Sequence, residues 1–175
     1  MRPRALTLVI ALACVGSACA PTLDWREVRP ERSGLLSLFP CKPAARTRQL
    51  VLAGVAVEMS LHACIADGVT YAVAHADIGQ PQGVDRALAE MASAAARNID
   101  AVLSPAAGNL QVPGMTPNPQ AGRHALSGRL ANGQRVEEQS AAFARGTRVF
   151  QATMVGANLD AEAVDMFFGA LRLPP

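Results

Sequence analysis

Between Val55 and Ile65 apolar residues recur at every second position, with Val55, Val57, Met59, Leu61, Ala63 and Ile65 on one face and Glu58, Ser60 and His62 on the other. A period of two belongs to a half-buried strand and does not fit a helix face, which repeats every three to four residues. Asp67-Gly68 follows directly. That pair suits the left-handed conformations of a two-residue hairpin turn, so Val69 to Ile78 is expected to return beside the first strand. An antiparallel hairpin therefore sets the frame into which the remaining segments must fit.

Upstream, Trp25 to Arg29 has strand character, Ser33-Gly34 marks a turn, and Leu35 to Phe39 forms a short strand that Pro40 ends. Gln49 to Ala53 precedes the hairpin as a further strand. Downstream the period changes. Val84, Leu88, Met91, Ala95, Ile99 and Val102 recur every three or four residues, which predicts an amphipathic helix packed through that stripe. Segment 104–122 holds Pro105, Pro113, Pro117 and Pro119 with Gly108, Gly114 and Gly122. It can sustain neither a helix nor an interior strand, so it is expected to be a long loop laid over the sheet edge. A meander then runs from Arg123 to Leu130, turns at Asn132-Gly133 into Arg135 to Ala144, and turns at Arg145-Gly146 into Thr147 to Val155. A closing helix starts near Asn158 or Asp160, either of which can cap it, and presents Val164, Phe167, Phe168 and Leu171. The class is α+β: an antiparallel sheet of six to seven strands in two hairpin groups, flanked by helices, forming a single globular domain over 25–175.

Sixteen basic residues stand against fourteen acidic ones, for a formal charge of +2. Arg2 and Arg4 account for the excess, since no acidic residue precedes Asp24. The rest of the chain is neutral and lacks the clustered basic surface that displaces counterions from nucleic acid. Nucleic acid is therefore not an expected partner.

After Arg2 and Arg4 comes an apolar run from Ala5 to Val15, then Gly16, Ser17 and Ala18 before Cys19. A basic start, a short apolar stretch and a small-residue cleavage site describe a secretory signal over 1–18. The run is shorter than the ~20 residues that span a bilayer. Val15-Gly16-Ser17-Ala18-Cys19 resembles the bacterial lipobox, although the leucine usual three residues before the cysteine is Gly16 here. The resemblance implies that Cys19 is lipidated and becomes the first residue of the mature chain, with 19–33 serving as anchor, short tether and first strand. Several buried acyl chains give stable membrane attachment. Ala20 after the cysteine lacks the aspartate that retains such proteins at the inner membrane, so the expected address is the outer membrane, facing the periplasm. The alternative is cleavage after Ala20, which leaves a soluble periplasmic or secreted protein beginning at Pro21.

Cys14 leaves with the signal, and Cys41 and Cys64 remain. In an oxidising compartment the pair is expected to form a disulfide, closing a loop of about 24 residues and contributing roughly 3 kcal/mol on the chain-entropy account. An alternative stays open. His62 and Cys64 share one face of their strand and His75 sits on the next, so with Cys41 they could ligate zinc. No cofactor is otherwise implied.

Motifs for nucleophilic catalysis, zinc proteases, nucleotide-phosphate loops and dinucleotide binding are missing. Glu137 and Glu138 are adjacent and point to opposite faces of a strand, with Glu138 expected in solvent and Glu137 packed or paired. Arg26, Arg29 and Arg32 alternate with Glu27 and Glu31 as a solvated, internally paired segment. The expectation is a protein without enzymatic activity.

Trp25, Leu36-Ser37-Leu38-Phe39-Pro40, Arg148-Val149-Phe150-Gln151 and Phe167-Phe168-Gly169-Ala170-Leu171 together give a pattern that resembles the Mog1/PsbP-like fold family, and more closely uncharacterised lipoproteins of beta-proteobacteria. The resemblance implies an αβα sandwich and an accessory role. The first functional expectation is thus a non-enzymatic docking module of an envelope assembly, held to the membrane by its lipid. The second is a small-ligand carrier or sensor with a pocket under loop 104–122, and the third a metal or thiol site at His62, Cys64 and His75.

Overall fold

A computed structural model describes residues 23–106 and 110–175. The signal segment 1–18, Cys14, the lipidation candidate Cys19, the rival cleavage site at Ala20-Pro21 and Gly108 lie outside the described residues. In chain order the elements are β1 (Arg26–Val28), β2 (Ser37–Phe39), β3 (Ala44–Leu52), β4 (Val55–Ala66), β5 (Val69–Asp77), α1 (Val84–Asn98), β6 (Gly122–Arg129), β7 (Arg135–Arg145), β8 (Arg148–Gly156) and α2 (Ala161–Gly169). β3 to β8 form one six-stranded antiparallel sheet in the order β3-β4-β5-β8-β7-β6, and β1 pairs with β2 in a separate ribbon. The class is α+β, as the alternation of periods requires. The two hairpin groups join where β5 pairs with β8.

Local chemistry explains the turns. Asp67 and Gly68 both adopt positive φ, 49° and 72°, in the two-residue turn between β4 and β5. Asp160 caps α2 by accepting a hydrogen bond from the Ala163 amide at 2.9 Å. Asp85 in the first turn of α1 and Arg97 in the last complement its dipole.

The sheet is covered on both faces. α1 lies on one, packing Ala87, Leu88 and Met91 against Ala142, Ala144 and Val149, and Ala95, Ala96 and Ile99 against Leu126 and Val136. On the other face α2 and the β1–β2 ribbon enclose Phe39, Tyr71, Phe143, Phe150 and Phe167. Phe39 and Tyr71 meet Phe167 edge-on with centroids 5.6 and 5.5 Å apart, and each such ring contributes about 1.5–3 kcal/mol by leaving water. The described parts of 104–122 act as a cover. Val112 is buried, the Thr116 amide donates to the Ala144 carbonyl at 2.8 Å, and Pro113 accepts from the Leu173 amide at 2.7 Å.

Four local readings are corrected. The strand expected at Gln49–Ala53 begins earlier, at Ala44. As an edge strand it is exposed along most of its length, so no buried face marks its first half. In β4 the odd-numbered face is buried only at Val57, whereas Leu61 is 39% and Ile65 72% exposed. α1 does not reach that corner, and Cys64 and Ala66 pack instead on the opposite face. α1 stops at Asn98, because Ile99 leaves helical geometry and Asp100 turns the chain with φ 50°; Val102 consequently leaves the stripe and is 90% exposed. Finally, Glu138 is the buried carboxylate and Glu137 the exposed one, since Glu138 shares the face that α1 covers.

Among the described residues no helix is long and apolar enough to cross a membrane. Arg29 pairs with Glu27 inside the segment, as expected, whereas Arg26 pairs with Asp24 just before it and Arg32 reaches across to Glu58 of β4 rather than to Glu31. Such exposed pairs contribute little each.

Candidate functional site

Cys41, just past β2, is disulfide-bonded to Cys64 on β4, with Cα atoms 6.1 Å apart. The bond fastens the ribbon to the main sheet. It also removes Cys64 as a thiolate ligand, and no cluster of three or more His, Cys, Asp or Glu among the described residues is placed to hold a metal. The convergence of His62, Cys64 and His75 that strand geometry allowed is therefore not formed. What forms is a stack of the two imidazoles, with centroids 6.3 Å apart, on the aromatic side of the sheet. Burial, aided by His62, Arg148 and Arg32, pushes His75 down to about 4, and burial also lowers His62 against the opposing effect of Glu31. Both rings are neutral at pH 7, and His62 Nδ1 and His75 Nε2 have no hydrogen-bond partner among the described residues.

His124 and Ser33 are engaged structurally. His124 donates through Nδ1 to the Ser104 carbonyl at 2.9 Å. Ser33 Oγ donates to the Pro30 carbonyl at 2.6 Å and accepts from the Leu35 amide. Glu138, 4% exposed under α1, is pushed up to about 7 by burial.

A groove of about 900 Å3 runs along the flank of α1, over the corner of the sheet that the helix leaves uncovered. Its floor comes from β4, β5 and β8: Met59, Leu61, Ala72, Ala74, Gln151 and Thr153. Glu90, Met91, Ala94, Arg97 and Asn98 of α1 line one side, and Arg46, Arg48 and Leu50 of β3 line the other. Ladder register explains the arrangement. Arg46 lies opposite Leu61, Leu61 opposite Ala74 and Ala74 opposite Gln151, so one row runs from a charged edge over an apolar side chain to a small floor. The recess exists because Ala72, Ala74 and Ala94 leave volume that longer side chains would fill. Gln151 is held beneath the helix, donating through Nε2 to the Met91 carbonyl at 2.9 Å and to Ser140 Oγ at 3.1 Å.

The charge of this groove is uneven. Glu90 is committed elsewhere, accepting from the Ala53 amide and from Arg86 Nε, both at 2.8 Å. Those bonds hold its carboxyl below the usual carboxylate range. Arg46, Arg48 and Arg97 are exposed and make no ion pair among the described residues. Positions 46 and 48 project to one face because they are two apart on a strand. Sequence reasoning did not find this site. The only signal was the Arg-x-Arg spacing in a stretch that carries no apolar alternation.

The pocket expected under 104–122 is the lesser recess, about 450 Å3, lined by Leu110, Val112, Met115 and neighbouring residues of the loop itself. The chain matches no protein-family model, no curated protein and no solved structure.

Proposed function

We propose that this chain is a non-enzymatic binding module of the bacterial envelope, anchored through lipidated Cys19 to the outer membrane and facing the periplasm, with the α1 groove as its recognition surface. Its layering, with α1 and α2 on opposite faces of an antiparallel sheet, supports the Mog1/PsbP-like sandwich and with it the accessory role in an envelope assembly. The observation that carries the binding reading is the groove. At about 900 Å3 it falls within the roughly 300–1,000 Å3 of small-molecule sites. Two of the charged groups that border it, Arg46 and Arg48, make no ion pair among the described residues.

Two measurements test the proposal. Cys19→Ser, or globomycin treatment, is expected to abolish lipoprotein processing and release the protein from the membrane fraction; unchanged processing would overturn the anchor. A protein-free small-molecule extract of the envelope is expected to raise the Tm of the wild-type protein but not of Ala94→Trp, which fills the groove from the helix side. Equal behaviour of the two proteins would overturn the groove.

A further inference from the structure

We infer that the groove takes an anionic amphiphile: a single alkyl chain ending in a carboxylate or phosphate. The inference rests on the reading of the groove as a binding site and specifies its occupant. Three features of the site select this chemistry.

The first is the distribution of polarity across the recess. Leu50, Met59 and Leu61 border a floor of Ala72 and Ala74, and Leu61 remains 39% exposed although the strand pattern assigns it to a buried face. An alkyl chain lying in the recess covers this surface and removes it from water, which supplies about 0.8 kcal/mol per methylene. The second is the rim. Arg46 and Arg48 from β3 and Arg97 from α1 border the same recess and make no ion pair among the described residues; the one carboxylate in the lining, Glu90, is bonded to Arg86 and the Ala53 amide and feels Arg97 only from beyond ion-pair distance. A guanidinium binds carboxylate and phosphate oxygens bidentately through its planar fork, so the head group belongs at the β3 rim and the tail over the alanines. The third is what the groove lacks. Among the described residues no aromatic side chain lines it, so they offer no platform on which a nucleobase could stack.

Calorimetric titration of the purified full chain with dodecanoate and with dodecyl phosphate, each below its critical micelle concentration, tests the inference. Both are expected to bind, and the tighter of the two identifies a carboxylate or a phosphate head as the natural source. Dodecyltrimethylammonium, acetate and inorganic phosphate are expected not to bind. Arg46→Gln with Arg48→Gln, and Arg97→Gln separately, should each weaken binding at least about tenfold, the effect of losing a charge-assisted hydrogen bond. Arg46 and Arg48 are exposed and unpaired among the described residues, so the Tm of that double variant should match the wild type, whereas Arg97→Gln also removes a charge that complements the α1 dipole and should lower Tm slightly. Equal binding of the cationic amphiphile, or undiminished affinity in both arginine variants, would overturn the anionic head. If the arginine variants keep affinity but self-associate, Arg46 and Arg48 serve to guard the edge strand, and the inference fails. If no dodecyl compound binds while the envelope extract still raises the wild-type Tm, the amphiphile is wrong and the groove stands. If the extract has no effect either, both fall.

Discussion

Glu138 and His75 are buried titratable side chains on opposite faces of the sheet, and they bias stability in opposite directions with pH. Burial raises the Glu138 carboxyl from its ordinary 4.5 to about 7. The folded state therefore holds a proton that the unfolded chain has released, and stability falls as pH rises from about 4.5 to 7, by at most about 3 kcal/mol. Glu138→Gln keeps the shape and cannot ionise. Urea unfolding is expected to find the variant close to wild type at pH 4.5 and more stable by up to about 3 kcal/mol at pH 8; parallel pH curves for the two proteins would refute the assignment. His75 behaves in the converse way. Its folded value of about 4 lies below the unfolded 6.5, so its contribution is complete above pH 6.5 and is lost as pH falls towards 4. His75→Phe keeps a ring against Phe150, whose centroid is 6.2 Å away. The substitution should flatten the stability curve between pH 6.5 and 4, and an acid limb that persists unchanged would place the titration elsewhere.

Turns and strands show which parts of the chain are sensitive to backbone geometry. Gly68 has φ 72° and, among the described residues, nothing within 4 Å of where a Cβ would stand, so Gly68→Ala should cost only the left-handed penalty of about 1–2 kcal/mol. Gly114 has φ 83° and its Cβ would run into the Leu173 carbonyl. Gly114→Ala should therefore cost more, at least about 2 kcal/mol, and chemical denaturation of both variants compares them directly. The same elements account for what was readable beforehand. Asp67-Gly68, Asn132-Gly133 and Arg145-Gly146 announced their hairpins, and the Phe167-Phe168 face announced α2, because turn chemistry and burial both leave local marks. The first half of β3 left none, since a strand exposed on both faces has no reason to alternate. The groove was hidden for a different reason. Its floor is made by Ala72 and Ala74 and its wall by Ala94, and in an alanine-rich chain a residue that creates space looks the same as one that merely favours a helix. The reversal of Glu137 and Glu138 followed from register, which a pair of adjacent identical residues cannot reveal.

At the scale of the whole molecule the disulfide decides how the ribbon and the sheet hold together. β1 and β2 pair over three positions, too few to stand alone as a unit. Cys41–Cys64 closes the intervening chain covalently, so reduction is expected to lower the unfolding free energy by about 3 kcal/mol on the chain-entropy account. Amide exchange should then rise first in β1 and β2, with β7 and β8 least affected; uniform loss of protection would show that ribbon and sheet unfold together. The same bond has a mechanical meaning. Tension arriving from the N-terminal side enters at β1, crosses its short ladder to β2, and passes through Cys41 and Cys64 straight into β4. Segment 42–63 is bypassed by that route. β3, with Arg46 and Arg48, would stay slack under a pull that strains its neighbours, and in force spectroscopy the length of 42–63 should be released only after the sulfur bridge is cut.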